Sequence, residues 1–452
     1  MARGAKKLQI KLQPTQIIIL VFGLIILLGS VLLALPFASR SGSSCGYLPA
    51  LFTATSATCV TGLTLFDTWS QWSGFGQIVI LCMIEIGGLG FMSAASLVIF
   101  LLRKKVGLKQ RMVIAQALSL NDMESVVRLQ KWVLFGSLSV QLIGALILFG
   151  RFLPQYGLAQ ALRWSIFHAV SAFCNAGFDI FGSVSPGTSL LPFNQDPIVM
   201  FTIMGLVLVS GLGFFVWEEI VRLHSWKKFS VYTKLVLLAT AVLFVGGAVL
   251  FALLEWNNPG TLGAMNTPGK LLNAAFQSVT LRTAGFAAID QGALTEGSKA
   301  VSILLMLIGG SSGSTAGGVK TVTVLVLLLF ILSRARGKNS VCVFRRTVPG
   351  EKVMDAMTIV SLVVGLAFAG AIFICATCGV TFTDALYETV SALATVGNTT
   401  GVTASLTVPA QIMIIVFMFF GRVGILTISL GFLMGDRAQE RYRYANTDLL
   451  IG

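Results

Sequence analysis

Charge is scarce in this chain. Only 11% of its 452 residues are Asp, Glu, Lys or Arg, while 55% are hydrophobic, and the mean hydropathy is +0.87. Soluble domains carry about a quarter charged residues, so a soluble globular protein is excluded. Histidine is scarcer still. His168 and His224 stand far apart and cannot build a metal cluster. The seven cysteines show no ligand spacing. Cys375 and Cys378 form a CxxC, but inside an apolar run, where small packing residues are expected. No hydrolase triad or phosphate loop is present, so no enzyme is expected.

What charge there is has one sign and one distribution. The formal net charge is +14. Twenty-four of the 32 basic residues fall in five clusters, Arg3 to Lys11, Arg103 to Lys131, Arg222 to Lys234, Arg334 to Lys352 and Arg437 to Arg443. Each cluster sits at the end of an apolar run. Cytoplasmic loops of membrane proteins carry this excess, and contact with acidic lipid follows. Nucleic-acid binding is not expected, because no basic stretch interleaves with stacking aromatics.

A membrane span needs about 20 apolar residues. Eight candidates lie near 15–36, 75–102, 132–153, 197–221, 231–254, 299–332, 355–378 and 409–434. The first is too long for the apolar part of a signal peptide, so it reads as a span with the N-terminus inside. Basic joins alternate with semi-polar ones, which puts both termini in the cytoplasm.

The semi-polar joins repeat. They read "ALFTATSATCVTGLTLFDT", "SIFHAVSAFCNAGFDIFGS", "AAFQSVTLRTAGFAAID" and "ALYETVSALATVGNTTGVT". Each opens on an aromatic (Phe52, Phe167, Phe276, Tyr387). A hydroxyl follows four residues later (Ser56, Ser171, Thr280, Ser391), and then a glycine (Gly62, Gly177, Gly285, Gly397). Recurrence at a fixed period means repeated units. One such glycine is an ordinary helix cap; four, each between two spans, are a repeat of span, short helix, glycine loop and span. The expected fold is an all-α integral membrane protein, with eight transmembrane helices as four membrane–pore-loop–membrane repeats around a pseudo-fourfold pore.

Non-helical backbone at membrane depth is tolerated only inside protein or lining water. Four loops around one axis satisfy this together and turn their carbonyls to a shared centre, as in potassium filters. Short helices ending at such loops aim their negative ends at a cation. The second span of the third unit is broken by "GGSSGSTAGGVK", Gly309 to Lys320, between two apolar halves too short to cross alone. The equivalent spans carry "IGGLG", "SGLG" and "FGRVG" without such an insert. Two charges lie within spans, Glu85 and Arg422, and buried charge there usually marks function. An ion pair between them is expected, the alternative being that each is met separately by backbone carbonyls. Asp67, Asp179, Asp384 and Glu388 read as solvated residues at the outer rim.

With these motifs in view, the chain resembles the membrane subunit of a Ktr-type potassium uptake system, in the Trk/Ktr/HKT superfamily. The segments "TSATCVTGL", "IEIGGLGFM", "SAFCNAGF", "VTLRTAGF", "SALATVGNTTG", "GGSSGSTAGGVKT" and "FGRVGILT" carry the resemblance together. Eight spans suit the Ktr branch; the Trk branch usually has two further N-terminal helices. The resemblance implies a potassium-binding filter at Val60, Thr61, Gly62, Asn175, Ala176, Gly177, Thr283, Ala284, Gly285, Thr395, Val396 and Gly397. Only Thr395-Val396-Gly397 keeps the start of the channel signature TVGYG. In plant relatives a serine for the first of these glycines goes with sodium transport, so Gly62 argues for potassium.

The resemblance further implies an intramembrane gate of Gly309, Gly310, Ser311, Ser312, Gly313, Ser314, Thr315, Ala316, Gly317 and Gly318. Lys320 would face the lower vestibule, and Arg422 would stand under the filter as a barrier to cations. It implies a homodimer regulated by a separate cytosolic nucleotide-binding (RCK-type) ring, docked on 103–111, 334–346 and the tail from Arg437. No covalently bound cofactor is implied; potassium is the substrate and sodium a candidate activator. The expected organisation is a cytoplasmic N-terminus at 1–14, repeats at 15–110, 111–228, 229–345 (with the gating loop at 309–318) and 346–436, and a cytoplasmic tail at 437–452, in the plasma membrane. A secondary cation carrier with broken helices is the rival. It would show paired breaks in inverted halves, whereas these repeats run parallel. A scaffold would need no matched glycine loops.

Overall fold

The computed structural model describes residues 14–90, 123–338 and 340–424. The expected filter, gate and ion-pair residues all fall within them. The basic segments Arg3 to Lys11 and 103–111, the span portions 91–102 and 425–434, and the tail from Arg437 lie outside the described residues.

Among the described residues, the regular structure is helical apart from a hairpin pairing Cys342–Val343 with Arg346–Thr347. The helices are α1 (Pro14–Ala34), α2 (Tyr47–Cys59), α3 (Thr68–Gln71), α4 (Gly74–Leu89), α5 (Met123–Cys174), α6 (Pro197–Leu212), α7 (Phe214–Leu223), α8 (Val231–Glu255), α9 (Thr267–Thr280), α10 (Glu296–Leu307), α11 (Thr321–Ala335), α12 (Gly350–Cys378), α13 (Phe382–Leu393) and α14 (Val408–Val423). α5 is two helices joined at Gly157, whose φ of 73° and ψ of 168° break the ladder.

Polar caps start most of the helices that follow the semi-polar joins. Ser73, Asp196 and Thr295 accept from the first free amides of α4, α6 and α10, and Asn266 and Thr381 do the same for α9 and α13. These oxygens satisfy donors that have no partner inside the helix. Asp196 also holds Arg151 at 2.7 Å, tying α6 to α5.

The packing closes on itself. α4 packs on α5, α6 on α9, α10 on α13, and α14 on α2. Each copy of the unit therefore clamps the short helix of the next, and the fourth clamps the first. The buried apolar residues form two large clusters, one mainly from the first two copies and one mainly from the last two.

Among the described residues, Trp132–Cys174, Val231–Glu255 and Gly350–Cys378 are long and apolar enough to cross a membrane, and α6 with α7 makes a bent fourth. The helices within the candidate spans 75–102, 197–221 and 409–434 break at glycines. α4, α6 and α14 each stop after 16 residues, about 24 Å at 1.5 Å per residue, short of the roughly 30 Å hydrocarbon core. Each stops at a glycine in nearly the same conformation: Gly90 (φ 81°, ψ 145°), Gly213 (φ 89°, ψ 149°) and Gly424 (φ 92°, ψ 126°). A side chain disfavours that region, which is why glycine ends all three. In the third copy the break is Ile308 to Lys320, as the sequence indicates.

Candidate functional site

The site lies where the four glycine loops meet. α2, the second half of α5, α9 and α13 end at or just before Val60, Asn175, Thr283 and Thr395. Those residues are all left-handed, with φ of 56°, 58°, 68° and 50°, and so are Gly62, Gly177, Gly285 and Gly397, with φ of 95°, 68°, 79° and 96°. Thr61, Ala176, Ala284 and Val396 between them are not. Alternation of hand turns successive carbonyls to one side. A left-handed valine or threonine is a genuine outlier; three such outliers, with a more tolerant asparagine at the matching place in the second loop, mark backbone held by its surroundings.

The loops form a closed ring. A Cβ on Gly62 would lie 2.5 Å from the carbonyl oxygen of Ala176, and one on Gly177 would lie 2.9 Å from that of Ala284. One on Gly285 would run into the Val396 oxygen, and one on Gly397 into the Thr61 oxygen. Each glycine thus stands against the middle carbonyl of the next loop, in the order one, two, three, four, one. Above the ring lies a cavity of about 430 Å³, bordered by Asp67, Asp179, Asp290, Asn398 and Thr400.

The four repeated hydroxyls hold the loops. Ser56 Oγ accepts from the Gly62 amide at 3.1 Å and Ser391 Oγ from the Gly397 amide at 3.0 Å. Ser171 and Thr280 instead donate to the carbonyls of Phe178 and Phe286, both at 2.6 Å. The sequence pattern gives the positions of these hydroxyls, and the structure gives their job. Around the ring, the buried hydroxyls of Thr61, Thr283 and Thr395 have no protein partner.

The polar insert sits directly against the inner side of this ring. A Cβ on Gly318 would lie 3.0 Å from the Ala394 oxygen, and one on Gly317 would overlap Thr395. Thr315 Oγ1 donates to the Phe173 carbonyl at 3.1 Å and accepts from Asn175 Nδ2 at 3.1 Å. Ser311 Oγ donates to the carbonyl of Leu212, and the Phe214 amide donates to Gly313 at 2.9 Å. The Tyr232 hydroxyl donates to the Ser312 carbonyl at 2.9 Å. The insert's base is closed by Gly309 N–H to Val319 O at 2.9 Å and by Thr321 Oγ1 to Gly309 O at 2.6 Å. Its backbone polar groups are therefore paired across copies two, three and four. Gly310 accepts from the Thr321 amide at 3.0 Å, and Ala316 from Lys320 Nζ at 2.8 Å. Lys320 also borders a cavity of about 680 Å³ on the inner side.

Arg422 and Glu85 do not pair. The Arg422 guanidinium donates to the carbonyls of Thr315 and Gly87, and to Gly88 at 2.9 Å. Glu85 instead accepts from Gln141 Nε2 at 3.0 and 3.2 Å and from Cys174 Sγ at 3.3 Å. The arginine has three carbonyls converging on it at the broken end of α4, so it needs no carboxylate. Gln141 and Cys174 are partners that sequence spacing could not supply.

The solvated-rim reading needs correction for Glu388, while Asp67, Asp179 and Asp384 stay partly exposed. Glu388 is fully buried and accepts from Thr399 at 2.7 Å and from Thr403. Asp384 pairs with Lys299 at 2.9 Å. Asp67 caps α3 and accepts from the Gly187 amide at 3.1 Å. Asp179 is half-buried beside the outer cavity and accepts from the Phe181 amide at 3.2 Å. Glu388 is drawn in to brace the fourth loop through Thr399 and Thr403; the threonines of "GNTTGVT" were the available signal.

Four glycine loops meeting in one ring, with a packed loop on their inner side and long apolar helices around them, make a helical protein of membrane character. The model for the TrkH family, described as a cation transport protein, matches residues 6–441, and the chain belongs to that family. It is a family of transporters, not enzymes. The chain is 39% identical over 452 residues to the potassium/sodium uptake protein NtpJ of Enterococcus hirae, covering 99% of each. It is 40% identical over 433 residues to the Ktr system potassium uptake protein B of Bacillus subtilis, covering 96% of each. In fold it is similar to the potassium transporter TrkH from Vibrio parahaemolyticus, with a TM-score of 0.73 at 18% identity, over 95% of this chain and 86% of that one.

Proposed function

We propose that the chain carries potassium into the cell across the plasma membrane, through eight spans arranged as four repeats around a pore, with the glycine ring as its filter. The observation that carries this is the ring: four left-handed glycines, each against the next loop's carbonyl. Carbonyl rings replace the hydration shell of a potassium ion, and the unpartnered hydroxyls of Thr61, Thr283 and Thr395 add oxygen ligands near it. Four short helices ending at the ring bring partial negative charge. The membrane potential drives entry, at about 2.3 kcal/mol per charge per 100 mV. The full-length relatives named for potassium uptake support the substrate.

The insert 309–318, with Lys320 and Arg422, acts as the gate. Its contacts reach Thr395, Asn175 and Arg422 at once, so loop movement and ring access are coupled. The working unit is a homodimer with both termini cytoplasmic, controlled by a separate nucleotide-binding ring, with sodium as a candidate activator. Relatives named as members of a Ktr system fit a multi-component arrangement. The repeats run 15–110, 111–228, 229–345 and 346–436.

The test is growth of an uptake-deficient bacterium at low potassium, with the chain expressed alone, with its ring partner, and with 309–318 deleted. Restored growth, freed from the partner by the deletion, supports the reading. Confirmed expression with no growth in any arm overturns it and favours a coupled carrier.

A further inference from the structure

We propose that the chain binds an anionic phospholipid between α5 and α7, with an acyl chain in the groove and the phosphate on Arg222, Lys227 and Lys228. The inference rests on reading the chain as a membrane transporter, but names a site outside the conduction path.

The groove follows from the glycine break at Gly213. α7 leaves α6 at 91°, so if α6 crosses the membrane, α7 lies along its surface. Phe214 and Val216 turn into the protein and are buried. Trp217, Ile220 and Val221 face a cavity of about 710 Å³ shared with Trp132, Phe135 and Gly136 of α5. The walls offer almost no polar atom. Trp217 Nε1 is spent on the Val209 carbonyl at 2.7 Å, and the Ser139 hydroxyl on the Phe135 carbonyl at 2.7 Å. A polar solute finds no partner there, while a hydrocarbon chain loses nothing.

From the groove the chain runs straight into a basic stretch. Val221 lines the groove, and Arg222, Trp226, Lys227 and Lys228 follow at once, all exposed. Arg222 makes only a 3.8 Å contact to Glu218 and its side chain is 66% exposed. Lys227 and Lys228 enter no ion pair among the described residues. The neighbouring Glu219 is taken up by Ser230 and Thr233 and does not neutralise them. An apolar slot followed along the chain by exposed cations and by exposed Trp226 matches a lipid with an anionic headgroup. A second copy of the chain would bring the same positive charge to that stretch.

The test uses the purified full chain, stripped of lipid in detergent, and follows its thermal midpoint. Phosphatidylglycerol and phosphatidylcholine with identical acyl chains are the probes. Wild type should be raised several degrees more by phosphatidylglycerol. The triple change Arg222→Gln, Lys227→Gln and Lys228→Gln should bring that response down to the phosphatidylcholine level. Gly136→Leu should weaken both responses; a Cβ there lies 3.5 Å from the Trp217 ring, so the first atom fits and the rest enters the groove. A triple variant that keeps its preference for phosphatidylglycerol overturns the headgroup assignment. Val221→Cys cross-linking efficiently between two copies overturns the lipid as occupant. Potassium uptake, measured separately, reports on the transport reading whatever the lipid result.

Discussion

The Arg422 guanidinium donates to the carbonyl oxygen of Thr315, so the inner end of α14 is bonded to the loop that underlies the ring. The same group donates to Gly87 and Gly88 at the end of α4. One side chain thus ties the insert to both the first and fourth copies. Hydrogen bonds to charged groups are worth about 1.5–3 kcal/mol each. Arg422→Gln should shift the loop toward its displaced state, raising rubidium uptake without the regulatory partner by about tenfold or more. Uptake that stays partner-dependent in Arg422→Gln would mean the guanidinium merely fills space.

Gly62 and the Ala176 carbonyl set a limit on the filter that a single substitution can probe. Gly62→Ser places a Cβ 2.5 Å from that oxygen at a φ of 95°. The left-handed cost alone is about 1–2 kcal/mol for a residue with a side chain, and the neighbouring carbonyl must also turn away. Potassium over sodium selectivity should fall at least tenfold, read by competition of sodium against rubidium uptake, with expression unchanged. Gly285→Ser, against the Val396 carbonyl, should behave alike. Unchanged selectivity in both variants would remove the ring from the filter role.

The four loops were legible because repetition separates signal from ordinary capping: aromatic, hydroxyl and glycine recur in the same order, with the glycine ten residues after the aromatic in three copies and nine in the third. The insert was legible because its glycines and hydroxyls interrupt an apolar run. The breaks at Gly90, Gly213 and Gly424 were not, since glycine in an apolar helix is tolerated, hydropathy averages over it, and the motifs IGGLG, SGLG and FGRVG do not say which glycine turns left-handed. The Glu85 and Arg422 pairing failed for a related reason. Span depth places two charges at similar height but gives no azimuth, and the carbonyls freed by those same helix breaks satisfied the arginine.

Ser391 accepts from the Gly397 amide at 3.0 Å while fully buried. Ser391→Ala leaves that amide without its partner, at a cost of about 1–3 kcal/mol. Ser171→Ala instead frees a carbonyl, that of Phe178, with its own solvation penalty. Both should lower selectivity more than they lower the thermal midpoint, because the strained loop is the local element each one braces. A midpoint loss with selectivity intact would make these hydroxyls structural only.

Asp179 lies in the loop beyond the ring, where burial and then the Asp67 charge push its carboxyl up to about 7. Asp67 and Asp290 border the same outer cavity. A carboxyl raised in the folded state stays protonated there at pH values where the unfolded chain has released the proton. Its contribution to stability is therefore present below about pH 4 and is lost as pH rises through about 7. Transport should move the opposite way. Above about pH 7 the ionised group adds negative charge to the outer mouth, so the half-saturating external potassium concentration should fall. Asp179→Asn should flatten both profiles, holding the thermal midpoint level across that window and fixing the half-saturating concentration near its acidic value. If the wild type and Asp179→Asn titrate identically between pH 5 and about 8, another group at the mouth carries the dependence.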